Sequence, residues 1–316
     1  MSTLQLAIAT DFAGEFPQIE KIGEILYKIA QAGFTHIHWC FEWDGDYMYS
    51  SYEMQQIREW MDQYGLRAKA LHASKGSRRN TNMIDGHYRK DYTSEVEYNR
   101  KAGVELIKNR VDLAGCMGAK EIVLHLYVPH FTIWEKPETE EHFYQQVYRS
   151  FDELQPYCIQ KGVRICIENL FDVPERYELD QLDRLLEKYP PQFIGFCLDT
   201  GHANMVWGRK MTDIIHRYQD RLYAVHIHDN SGSADFHQVP GEGNIIWQEV
   251  MSALARTEYE LPLTLELTCN DENVDKFLKK AYEAGEELTG MYREEREKHH
   301  TGVLPGERLP ELIKIE

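Results

Sequence analysis

Carboxylates and imidazoles stand at the ends of apolar runs along this chain. His72 ends LRAKALH, His125 ends EIVLH, Glu168 ends RICIE, Asp199 ends GFCLD, His226 and His228 end YAVHIH, and Glu266 ends PLTLE. If these runs are parallel strands, their C-terminal ends share one mouth and the polar side chains converge there. Such a set in a dry centre is costly to leave unpaired, on the order of several kcal/mol per uncompensated charge. Few lysines or arginines stand near the ends that carry Glu168, Asp199 and Glu266, so ion pairing has little to work with. A divalent metal is the simplest compensation, and mixed carboxylate and imidazole donors suit Mn²⁺, Zn²⁺, Co²⁺ or Mg²⁺. A hydrogen-bonded polar plug is the alternative without chemistry.

The elements that must position these residues follow from periodicity. Short β-rich runs are expected at Gln5–Ala9, His36–Phe41, Arg67–Ala73, Glu121–Tyr127, Arg164–Asn169, Ile194–Thr200, Tyr223–Asp229 and Pro262–Leu267. Amphipathic helices are expected between and after them, over Gln18–Ala32, Tyr52–Tyr64, Glu95–Gly118, Glu141–Gln160, Leu179–Lys188, Met211–Tyr218, Ile246–Arg256 and Asn273–Met291, with Gly33 and Gly65 as helix stops. This alternation closes most naturally as a single-domain α/β structure, a (β/α)₈ TIM barrel over residues 1–291, although an open doubly wound sheet has the same local pattern. The charged and proline-bearing stretch 292–316 reads as a C-terminal extension, suited to packing on the barrel or on a second copy. The segment Ser74–Thr93 is a local basic patch, with Lys75, Arg78 and Arg79 as phosphate clamps or a solvated loop.

Composition narrows the partners. At 316 residues with 42% hydrophobic content, the chain can bury a large core. A formal net charge of -17 gives no general footing for nucleic acid. The start of the chain has no basic leader and no run reaches the length of a membrane span, so a cytoplasmic protein without membrane contact is expected. Six cysteines are scattered without a CxxC pair and read as buried free thiols.

The runs Ile167-Glu168-Asn169, Leu198-Asp199-Thr200-Gly201-His202, His226-Ile227-His228-Asp229-Asn230, His237-Gln238-Val239-Pro240-Gly241-Glu242-Gly243-Asn244-Ile245 and Leu263-Thr264-Leu265-Glu266 resemble the xylose isomerase-like TIM-barrel superfamily. That group includes sugar phosphate isomerase/epimerases, ketose 3-epimerases, inosose dehydratases and the endonuclease IV type of apurinic endonuclease. The resemblance implies that Glu168, Asp199, His226 and Glu266 are metal ligands, with His228 behind them or on substrate. Compared with the endonuclease branch, whose zinc site is polynuclear, His72, His125, His202, Asp235 and His237 also fall at ligand positions. They are therefore candidates for substrate binding or for a second or third ion.

By the same resemblance the leading activity is isomerisation or epimerisation of a small sugar, keto-sugar or polyol through an enediolate. Glu168 and Glu266 exchange the proton, and His202 and His237 bind the reacting oxygens. Where His237 stands, the ketose epimerases have an arginine, which weakens a plain 3-epimerase assignment. The alternative is a lyase or dehydratase on a keto-sugar or inosose; endonuclease IV-like phosphodiester hydrolysis runs against the charge. Trp39, Phe41, Trp43 and Tyr127 are candidate walls for a sugar's apolar face. A homo-oligomer stays open.

Overall fold

Parallel strands buried on both faces read as continuous apolar runs, and the runs found in this sequence take that form. In the computed structural model, which describes residues 5–14, 17–43, 45–73 and 90–301, the strands are β1 (Leu6–Ala9), β2 (His36–Trp39), β3 (Arg67–His72), β4 (Glu121–Leu124), β5 (Arg164–Glu168), β6 (Ile194–Asp199), β7 (Leu222–His226) and β8 (Leu263–Leu265). Their order is β7-β6-β5-β4-β3-β2-β1-β8, every pairing parallel. Just past β7, Ile227 bridges Leu265, with Ile227 N–H donating to Thr264 O at 2.8 Å, and this closes the barrel.

Helices follow the strands: α1 (Ile19–Gln31), α2 (Ser51–Tyr64), α3 (Glu97–Met117), α4 (His130–Glu135), α5 (Glu138–Lys161), α6 (Glu175–Lys188), α7 (Thr200–Val206), α8 (Met211–Arg217), α9 (Trp247–Leu254) and α10 (Val274–Thr301). Local chemistry sets their ends. Ser50 and Glu53 form a reciprocal capping box that starts α2, and Gly65 in the left-handed region ends it. The expected strands run too long at their C-terminal ends, because the polar residues beyond Leu124 and His226 turn into the mouth loops. Thr200, expected in a strand, instead begins α7, since the Asp199 carboxylate accepts the His202 N–H at 2.7 Å as an N-cap. The last helix continues through 292 to Thr301, ten residues past its expected end. Most of the basic patch, 74–89, and the tail from 302 lie outside the described residues. None of the described helices is long and apolar enough to cross a membrane.

The barrel interior explains why the polar ends meet. Val123, Cys166, Cys197 and Ala224 form one small buried cluster, contributed by four adjacent strands. Side chains alternate along a strand, so the residue two positions on points the same way. Two positions on are His125, Glu168, Asp199 and His226. Cys40, Cys158, Cys166 and Cys197 are buried and Cys116 and Cys269 partly so, all six as free thiols.

Candidate metal centre and active site

At the mouth, donor atoms of Glu168, Asp199, His226 and Glu266 all lie within 4.8 Å of one another. His226 Nδ1 is 2.8 Å from Glu266 Oε2, 3.3 Å from Glu168 Oε1 and 3.9 Å from Asp199 Oδ2. All four residues are buried, yet neither ring nitrogen of His226 has a hydrogen-bond partner. A buried imidazole nitrogen among three carboxylates carries a proton when no ion is bound and offers a lone pair to a divalent ion that displaces it, so these residues fit a divalent metal. No lysine or arginine lines the cavity among the described residues.

Behind this set stand the groups that orient it. His125 Nε2 and His72 Nε2 approach Glu168 Oε2 at 3.0 and 3.5 Å, and His125 Nδ1 meets the Tyr127 hydroxyl at 2.8 Å. His228 Nε2 sits 2.9 and 3.0 Å from the two Asp199 oxygens, where it steadies that carboxylate. Glycine at 201 makes this possible: a Cβ there would lie 1.9 Å from His228 Cε1. The His228 ring stacks on His237, centroids 4.0 Å apart. Asp235 Oδ2 joins His202 Nε2 at 3.3 Å and His237 Nε2 at 3.0 Å, and the donor atoms of these two, His228 and Asp235 form a second compact group.

Electrostatics follows the crowding. Burial pushes the Glu168 carboxyl up, but His226 and His125 outweigh it and hold it well below the usual range. The same contest, decided by His226, holds Glu266 low. Burial works against a charged imidazole, yet Asp199, Asp235 and Glu168 push His202 up to about 10. Asp235 and Glu266 do the same for His237, also to about 10. Asp11 is pushed up to about 7 by burial and by Glu266.

The loop after β7 is fastened by one side chain. Asp229 is fully buried; Oδ1 accepts the N–H groups of Asn230 and Ile245 at 2.9 and 3.2 Å, and Oδ2 those of Gly241 and the Trp247 indole at 2.8 and 3.0 Å. The loop so pinned carries Asp235 and His237. His237 has a φ of 46°, a left-handed conformation uncommon outside glycine and one that surrounding structure must hold.

The metal and substrate candidates stand at this mouth, as one group of four and its neighbours, whereas Trp39 and Phe41 do not, and Lys75, Arg78 and Arg79 lie outside the described residues. The cavity, of about 630 Å³, is bordered by His72, His125, Glu168, His202, Asp235, His237 and Glu266, with Trp43, Tyr127 and Phe171 as aromatic walls. Trp43 packs on His72 at 4.2 Å and Phe171 on His202 at 5.0 Å. Trp39 and Phe41, expected as possible walls, are buried in the core, where the Trp39 indole donates to Tyr49 Oη at 3.0 Å. Sequence reasoning missed Asp11, His38 and the anchoring role of Asp229. Asp11 follows β1 by two residues, as His125 follows Val123, and that offset was the available signal. His38 lies 4.7 Å from His226, ring to ring, from inside β2.

Comparison with known proteins places this geometry in context. The chain is 34% identical over 254 residues to the uncharacterized protein y4fM of Sinorhizobium fredii, covering 78% of this chain and 81% of that protein. It is 25% identical over 142 residues to the inosose dehydratase of Salmonella agona, 40% of this chain and 46% of that one. Among solved structures, an L-ribulose 3-epimerase superposes with a TM-score of 0.71 at 16% identity, covering 96% of this chain and all of that one. The 3-keto-D-glucoside 4-epimerase of E. coli superposes with a TM-score of 0.65 at 17% identity, over 90% and 99% of the two chains. The sequence pattern of the xylose isomerase-like TIM barrel family matches residues 26–292, and the chain belongs to that family.

Proposed function

We propose that this protein is a divalent-metal-dependent isomerase or epimerase of a small keto-sugar or polyol, with the ion held by Glu168, Asp199, His226 and Glu266. One observation carries the reading: two buried carboxylates on the wall of one cavity, Glu168 and Glu266, meet at the same His226 nitrogen, 3.3 and 2.8 Å away. A bound divalent ion supplies Lewis acidity toward a carbonyl and its neighbouring hydroxyl, which acidifies the adjacent C–H.

The chain's own groups divide the remaining work. Glu168 and Glu266 are kept ionised by their imidazole neighbours, so one carboxylate can take the carbon-bound proton while the other returns one. The hydrogen-bonded line from Glu168 through His125 to Tyr127 is a route by which that proton reaches the cavity wall. His202 and His237 are held protonated by Asp235 and its neighbours, with Nδ1 of each bonded to a backbone carbonyl, so it is the Nε2–H groups now on Asp235 that would turn to the oxygens that gain charge. Trp43, Tyr127 and Phe171 exclude water.

The same protonated pair favours a second reading, because an imidazolium also protonates a departing hydroxyl. Dehydration of a keto-sugar or inosose would use identical residues, and relatives named inosose dehydratase fit it. Incubation with ketoses and inososes in D₂O separates the two. Deuterium on the carbon of a recovered sugar supports epimerisation, loss of water supports elimination, and neither product from any sugar refutes the proposal.

A further inference from the structure

Asp11 is a carboxylate that the scheme above leaves without a task. It sits in the 3-10 turn Thr10–Ala13 where the chain leaves β1, and the turn is tied to the end of β2 by the Cys40 N–H, which donates to Thr10 Oγ1 at 2.9 Å. The side chain is partly exposed and borders the cavity, so its open edge is on the cavity side. A carboxylate oxygen lies within 4.8 Å of donor atoms of Glu266 and Cys40. Oδ1 is sealed from water and accepts no hydrogen bond.

That is costly, since a carboxylate removed from water needs donors. Its neighbours each have at least one: Glu168 has His125, Asp199 has the His202 N–H and His228, and Asp235 has His202 and His237 on Oδ2, although its Oδ1 is also without one. Above a pH of about 7, where Asp11 is ionised, its donor must then come from the cavity. The terminal torsion of an aspartate is broad, so either oxygen turns toward the cavity at little cost. With two carboxylates side by side, no lysine or arginine among the described lining residues, and the His237 imidazolium near enough to offset part of their charge, the matching ligand group is a neutral donor.

We infer that Asp11 is a specificity-determining residue that accepts a hydrogen bond from one hydroxyl of the bound sugar. The inference rests on the reading of the cavity as a sugar site. It also makes the site selective against a sugar bearing a phosphate or carboxylate at that position, because Asp11 and Glu266 repel it.

The test is calorimetric titration of the Mn²⁺-loaded protein with D-allulose, D-tagatose, L-ribulose and an inosose, then with the monodeoxy analogues of the tightest binder. Wild type, Asp11→Ala and Asp11→Asn are compared, with metal content measured in each. One deoxy analogue is expected to bind wild type roughly ten- to a hundredfold more weakly than the parent, the worth of a hydrogen bond to a charged group. Against Asp11→Ala that difference disappears, Asp11→Asn keeps part of it, and metal content is unchanged in both. Asp11→Ala binding the parent as tightly as wild type overturns the inference. So does equal weakening of the parent and every analogue, or loss of metal. A wild-type protein that binds none of the four sugars refutes the sugar reading itself.

Discussion

Replacing Asp229 removes the one side chain that pins the loop carrying Asp235 and His237. Its two oxygens accept four N–H groups, three of those bonds in fully buried surroundings. Asp229→Asn keeps one acceptor oxygen and turns an amide toward the donors that met the other, so two N–H groups lose their partner. At roughly 1–3 kcal/mol for each buried donor left unsatisfied, the cost is about 2–6 kcal/mol, a large share of the 5–15 kcal/mol that holds a typical domain folded. Asp229→Ala strands all four donors, and the loop is then expected to detach before the barrel unfolds, which caps the measured loss. Urea denaturation followed by far-UV circular dichroism gives the global term. The Trp247 indole is one of the four donors, so the part of the six-tryptophan emission lost in a Trp247→Phe control reports the loop. The proposed ligands Glu168, Asp199, His226 and Glu266 ride on strand ends, so metal content is expected to survive in Asp229→Asn while turnover falls. An Asp229→Asn protein within about 0.5 kcal/mol of wild type, with unchanged emission, would refute the claim that this carboxylate holds the loop.

Glu178 is fully buried and pushed up to about 8 by burial, against the Leu170 N–H and Gln181 that favour its charge. The folded state therefore holds a proton that the unfolded chain releases near 4.5, and this contribution to stability is present at low pH and lost as pH rises toward 8. Glu178→Gln should gain on the order of 2–4 kcal/mol over wild type at pH 8 and nothing at pH 4, read from denaturation midpoints; a pH-independent difference would contradict it. Gly201→Ala should destabilise by about 1–3 kcal/mol or more, and lower turnover, as its methyl displaces His228 from Asp199. Gly290→Ala, on α10 with open space around it, should stabilise by about 0.5–1 kcal/mol in the same assay. A reversed order of the two glycine variants would show that the close approach at 201 is not tight.

The fold was legible because its signals are local. Fully apolar strand runs, capped helices and glycine stops each announce themselves within a few residues, and the polar residue two places beyond an inward-facing small one marks the mouth. What was hidden depends on contacts across the chain. Asp229 reads as one more strand-end acid until Gly241, Ile245 and Trp247 are seen to donate to it from more than ten residues away. His228 and His226 share a strand-end pattern, and while the family resemblance separated them, only the contacts show His228 on both Asp199 oxygens and His226 on Glu266. Trp39 and Trp43 are alike in sequence, and their fates differ because one remains in β2 while the other lies past it on the cavity wall.

The central claim is a divalent ion at Glu168, Asp199, His226 and Glu266. Metal analysis by mass spectrometry of the purified protein, dialysed against metal-free buffer, tests it most directly, with Glu168→Ala and Glu266→Ala measured alongside. The account predicts at least one tightly held divalent ion per chain in wild type and its loss from both variants, since each removes an anionic donor. Unchanged stoichiometry in both variants would contradict it.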